Sequence, residues 1–71
     1  MTLKEAREAA GLSRIALSRI SGVTAPTIAD IEDGRNQNPS HRTVVRLVRA
    51  LHERGLTGLT ADDLFPVEVT K

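Results

Sequence analysis

Apolar residues recur along this chain at helical spacing, in short runs closed by single glycines. Leu3, Ala6 and Ala10 share one helix face with charged residues between them. Thr2 followed by Glu5 has the spacing of a capping box, which predicts where that helix opens, and Gly11 closes it as a left-handed cap. Ser13 is the next N-cap candidate, ahead of Ile15, Leu17 and Ile20 on a short second helix that Gly22 stops. Thr24 caps a third helix almost at once, with Pro26 in its first turn, where a missing N–H costs nothing. Ile28 and Ile31 give this helix one buried stripe, and Gly34 ends it. After the polar loop Arg35-Asn36-Gln37-Asn38, either Asn38 or Ser40 caps a fourth helix, on which Val44, Leu47, Val48 and Leu51 fall at i, i+3, i+4 and i+7. Gly55 and Gly58 break the chain again. Thr60 and Asp63 repeat the capping-box spacing and open a short fifth helix that ends before Pro66, and Val67 to Thr70 alternates with period two, like a short strand.

The expected fold is therefore all-α, a compact five-helix domain with a short C-terminal strand as the one addition. At 71 residues there is room for one domain. A chain of this size buries only about 60% of its unfolded surface, and its core supplies on the order of 3–5 kcal/mol. Stability gained from a second subunit or a ligand is expected to matter.

The absence of cysteine removes disulfides and thiolate metal sites. His41 and His52 stand apart without ligand-like company, so no metal and no cofactor is expected. His41 reads as a partly buried or rim histidine. No apolar run approaches the ~20 residues that cross a bilayer. Met1-Thr2-Leu3-Lys4-Glu5 is not a secretory leader, which predicts a cytoplasmic protein without membrane contact. No activated nucleophile, ligand cluster or phosphate-cradling glycine loop points to an enzyme.

The net charge of +1 would not by itself suggest a nucleic-acid partner, but its distribution does. Residues 35–54 carry Arg35, Arg42, Arg46, Arg49 and Arg54 against Glu53 alone, while acids outnumber bases on either side. Arginine outnumbers lysine eight to two, and its planar fork suits phosphate oxygens.

Residues 13–34 combine two short helices and a turn containing glycine, the plan of a helix-turn-helix. Leu17 holds the first helix, Val23 fills the corner, and Ile28 and Ile31 anchor the second, leaving its other face free to enter a major groove. On Arg7, Gly11-Leu12-Ser13, Leu17, Ser21-Gly22-Val23-Thr24, Thr27-Ile28, Ile31-Glu32, Gly34-Arg35, Asn38-Pro39-Ser40 and Ala50-Leu51, the chain resembles the Cro/CI-type (xenobiotic-response-element-like) helix-turn-helix family. That resemblance implies a lambda-repressor-like domain over residues 1–66, with 67–71 as a tail forming a dimerisation strand.

The resemblance also implies roles. Arg7 and Glu32 match an ion pair linking the first helix to the third. Ser13 and Arg14 match the phosphate-approaching start of the second helix, and a helix N-terminus beside an arginine is a sound anion site. Thr24, Arg35, Asn36, Gln37, Asn38 and Ser40 match positions flanking the groove, whose backbone contacts set position but not sequence. Arg42 joins them as a neighbour of that loop, whereas Arg46 and Arg49, on the same stripe, read as water-facing. Ala25, Pro26, Thr27 and Asp30 match the base-reading positions. The first three offer only apolar contact, as to a thymine methyl, so part of the specificity is expected to come from Arg35 and DNA shape. For Asp30 three readings stand: acceptance from a cytosine amine, suppression of non-specific binding, or pairing with Arg19 or Arg35.

The link from Glu53 to Leu59 is longer than the family's. Leu56, Leu59, Phe65, Val67 and Val69 form either a dimer interface or a cap on the bottom of the domain. The function implied is a repressor or controller of transcription, acting as a homodimer on a short inverted repeat in double-stranded DNA. The alternative is an antitoxin-type module that neutralises a second protein and represses its own operon.

Overall fold

A computed structural model describes residues 2–65, and these form five helices in sequence: α1 (Leu3–Ala9), α2 (Arg14–Ser21), α3 (Ala25–Glu32), α4 (His41–Glu53) and α5 (Ala61–Leu64). The described residues contain no strand. The strand expected over Val67 to Thr70 lies outside them.

Each helix starts on a hydroxyl. Thr2, Ser13, Thr24, Ser40 and Thr60 are the N-caps, each accepting a backbone N–H three residues on. Ser40, not Asn38, therefore opens α4. In α1 and α5 the acid at the third position reaches back, completing the capping boxes Thr2–Glu5 and Thr60–Asp63.

Three helix ends share one geometry. After α1, the Gly11 N–H donates to the Glu8 carbonyl and Leu12 to Arg7. Gly34 and Arg35 do the same to Ile31 and Asp30 after α3, as do Gly55 and Leu56 to His52 and Leu51 after α4. This pairing satisfies carbonyls that a helix end would orphan, and it needs a left-handed residue between helix and exit. The three glycines supply it with φ of 73°, 82° and 104°.

The core gathers around Leu17, Ile28, Leu47 and Leu51, which are fully buried. Leu3, Ala6, Leu12, Val23 and Ala50 extend it. α2 packs on both α3 and α4, so the short pair α2–α3 is backed by the longest helix. Ile15 lies outside this scheme at 60% exposure. Two positions from Leu17 is about 200° around a helix, so when Leu17 faces inward Ile15 faces water.

His41 is exposed, because it is the first residue of α4 and projects beyond the packed turns. Leu59, given as either an interface residue or a cap on the bottom of the domain, is 9% exposed and lies in the core cluster with Leu64. The link folds back because Gly55 reverses the chain and the His52 ring hydrogen-bonds the Leu59 carbonyl. Leu56 and Phe65 pack half-buried against the same core, while Val67 and Val69 lie outside the described residues.

No helix among the described residues is long and apolar enough to cross a membrane. Nor does any group of three or more histidine, aspartate and glutamate side chains among them have the arrangement of a metal site.

Candidate nucleic-acid interface

The turn between α2 and α3 is made by Gly22, Val23 and Thr24, with Ser21 ending α2. Gly22 adopts φ 77°, a left-handed conformation that suits glycine. Val23 is buried and fills the corner. The Ser21 hydroxyl, itself buried, accepts the Val23 N–H at 3.1 Å. Sequence reasoning gave Ser21 no role; its signal is a small hydroxyl residue two positions before the corner, where it can satisfy a turn amide.

From this turn Thr24 starts α3. Ile28 is its fully buried side chain. Of the base-reading candidates, Pro26 is exposed and Ala25, Thr27 and Asp30 are half-buried. The Thr27 hydroxyl is tied to that of Thr24 at 2.8 Å.

Every helix N-terminus keeps free amides, and those of α2, α3 and α4 differ in number. In α2, Ala16 donates to the Ser13 side chain and Leu17 to its carbonyl, leaving the Arg14 and Ile15 N–H groups without an acceptor among the described residues. In α4 the same accounting leaves His41 and Arg42. In α3 only Ala25 remains, since Pro26 has no N–H and Thr27 is taken by Thr24.

The C-terminal half of α3 carries Asp30 and Glu32, and Asp33 is its C-cap. Carboxylates are unfavourable at a helix C-terminus, and arginines offset each one. Arg7 donates Nε–H to Glu32 Oε2 at 2.7 Å and Nη2–H to Oε1 at 3.2 Å, while its Nη1 reaches the Leu12 carbonyl at 2.9 Å. Arg14 donates Nε–H to Glu32 Oε1 at 2.9 Å, with Nη2 3.7 Å from Asp33. The Glu32 side chain is 1% exposed and that of Arg7 11%, against 41% for Arg14. Burial opposes ionisation of Glu32, but the hydrogen bonds from Arg7 and Arg14 outweigh it and hold the carboxyl below its ordinary range. Donating to Glu32 in turn raises Arg7 above its ordinary value.

Arg14, expected at a phosphate, thus also ties α2 to α3. Its Nη1 is uncommitted and the side chain half exposed, so one guanidinium can serve the carboxylate and an outer anion together. Arg35 lies with Nη1 3.5 Å from Asp30 and 3.9 Å from Asp33, on an exposed surface. Asp33 was missed: it neighbours both Arg14 and Arg35, and nothing in its spacing announces this.

The loop after α3 is internally braced. The Arg35 and Asn36 N–H groups both donate to the Asp30 carbonyl. Asn36 Oδ1 accepts the Asn38 N–H at 3.2 Å, and Gln37 Nε2 donates to the Gly34 carbonyl at 3.2 Å. At its end the Ser40 hydroxyl donates to that of Thr43 at 2.9 Å. Arg42 is exposed on the first turn of α4 and joins none of these contacts.

Among the described residues, the free donors of this arrangement are backbone amides and guanidinium edges, which suit oxyanions. No curated protein and no solved structure matches the chain. A family model described as a helix-turn-helix domain matches residues 1–64. The chain belongs to the helix-turn-helix domain family.

Proposed function

We propose that this protein is a sequence-specific DNA-binding regulator of transcription, a repressor or controller of Cro/CI type that works in the cytoplasm as a homodimer on a short inverted repeat. The observation that carries this reading is the mounting of α3. Its inner side is held by Ile28 and by the Arg7–Glu32–Arg14 cluster, while Pro26 is exposed on its first turn. A helix fixed in this way can be laid in a major groove without being reordered on binding.

In this reading Ala25, Pro26 and Thr27 approach thymine methyls. The free amides at the starts of α2 and α4, with Arg14, Arg35 and Arg42, hold phosphates. An eight-residue helix reads only a few base pairs, which is why a second subunit is needed. Selection from a random duplex pool tests the reading. The enriched sequence is an inverted repeat with half-site centres about 34 Å, or roughly 10 base pairs, apart. Failure to enrich any sequence overturns it.

A second reading, an antitoxin-type module that binds a partner protein, draws on the 60% exposure of Ile15. Under that reading Ile15→Ser abolishes co-purification of a protein encoded beside this one and leaves DNA binding intact.

A further inference from the structure

The arginines of this domain fall into two sets. Arg7, Arg14 and Arg35 lie within 4.0 Å of Glu32, Asp33 or Asp30. Arg19, Arg42, Arg46, Arg49 and Arg54 have no such partner among the described residues, and the arginine side-chain hydrogen bonds there are those of Arg7 and Arg14 alone. One unpaired side chain lies near a turn. Arg46, exposed in the second turn of α4, reaches across to α2, so that a Cβ on Gly22 would stand 3.9 Å from its Nη1.

That position is at the turn which feeds α3. Gly22 is two residues before the Thr24 cap and three before Ala25, whose N–H is the single free amide of the α3 N-terminus. Pro26 deprives α3 of a donor that its counterparts α2 and α4 retain. Gly22 carries no side chain to hold an approaching strand away. We infer that Arg46 supplies the missing contact: its guanidinium, with the Ala25 N–H, grips a backbone phosphate of the strand that borders the α2–α3 turn, and Arg42, one turn earlier on the same face of α4, extends the grip. The inference rests on the DNA-binding reading and reverses the expectation that Arg46 merely faces water.

The competing account is structural. Gly22 is the C-cap of α2, and a cation near a helix C-terminus stabilises the helix through its dipole. The two accounts separate in the full-length protein. Arg46→Gln and Arg54→Gln remove the same formal charge, but Arg54 is the C-cap of α4, about 12 Å farther along the axis. Affinity for a selected operator and for a random duplex of equal length is measured by fluorescence anisotropy across a salt series, with thermal unfolding in parallel. Each phosphate contact contributes about 0.9 to the log–log salt slope. Arg46→Gln lowers the slope by about 0.9 per bound subunit and weakens both duplexes by the same factor. Arg54→Gln leaves the slope unchanged, and both variants melt as the parent does.

A lowered melting temperature with an unchanged slope overturns the inference in favour of the capping role. Equal slope losses in both variants overturn it in favour of diffuse charge. A parent protein that binds neither duplex overturns the DNA-binding reading itself.

Discussion

Arg14 donates its Nε–H to Oε1 of Glu32 at 2.9 Å, joining the first residue of α2 to the last residue of α3. The carboxylate already holds Arg7 through its other oxygen at 2.7 Å, so three helices meet on one buried anion. This ties the orientation of α3 to α1 and α2 without spending any of its outward side chains.

Removing the anion should be costly. Glu32→Ala leaves the Arg7 guanidinium, 11% exposed, without its counter-charge. Breaking a buried pair from one side costs about 3–5 kcal/mol, as much as a core of this size supplies. Urea unfolding should find Glu32→Ala largely unfolded without denaturant. Arg7→Lys keeps the charge but not the fork, and the Leu12 carbonyl loses its donor. It should lose about 1–2 kcal/mol and still fold. Equal, small losses for both variants would mean the cluster does not hold α3.

Acid should unfold the protein through the same group. The Glu32 carboxyl lies below its ordinary 4.5 in the folded state, because the Arg7 and Arg14 hydrogen bonds overcome the effect of burial. A depressed folded value gives stability that is complete above the unfolded value and is lost as pH falls through the folded one. Glu5 and Asp63 shift the same way through hydrogen bonds from Thr2 and Thr60. The urea midpoint should be level between about pH 5 and 8 and fall below about 4.5. Glu32→Gln should flatten the acid limb; an unchanged limb would place its cause elsewhere.

Asp30 and Arg35 should act on selectivity together. Their 3.5 Å contact is exposed and worth at most about 1 kcal/mol to the fold. In the DNA-binding reading Asp30 repels phosphates and restrains Arg35, so it weakens binding to random sequence. Asp30→Asn should tighten binding to a random duplex and narrow its gap to the operator. A loss of about 1–3 kcal/mol confined to one base pair would instead make Asp30 a reader of cytosine. No change in either affinity would place it away from the groove.

His52 should matter to folding and not to DNA. Its ring hydrogen-bonds the Leu59 carbonyl and fixes the α4–α5 link, with Leu59 in the core. His52→Ala should cost about 1–3 kcal/mol and leave the salt slope of DNA binding unchanged. A changed slope would assign the link to the interface.

What could be read from the sequence was mostly local. The caps at Thr2, Ser13, Thr24 and Thr60 are set by side chains reaching three residues along the chain, and all four were legible. The fourth helix offered two nearby candidates, and only geometry chose Ser40. Arg7 and Glu32 are 25 positions apart, so resemblance to a family, not spacing, suggested their pairing. The Arg14–Glu32 and His52–Leu59 bonds depend on how packed helices bring distant side chains together, which no local pattern encodes. Interface and cap could not be told apart for Leu59, because counting apolar residues says nothing of a link that folds back into the core.

The central claim is that α3 and the helix starts beside it meet DNA, and amide NMR of the 15N-labelled protein titrated with a selected duplex tests it most directly. The account predicts shifts at Arg14 and Ile15, from Ala25 to Asp30 except Pro26, and from Arg35 to Arg42 except Pro39, with Leu3–Ala9 and Ala61–Leu64 largely unmoved. Shifts confined to those last two segments, with α3 silent, would contradict it.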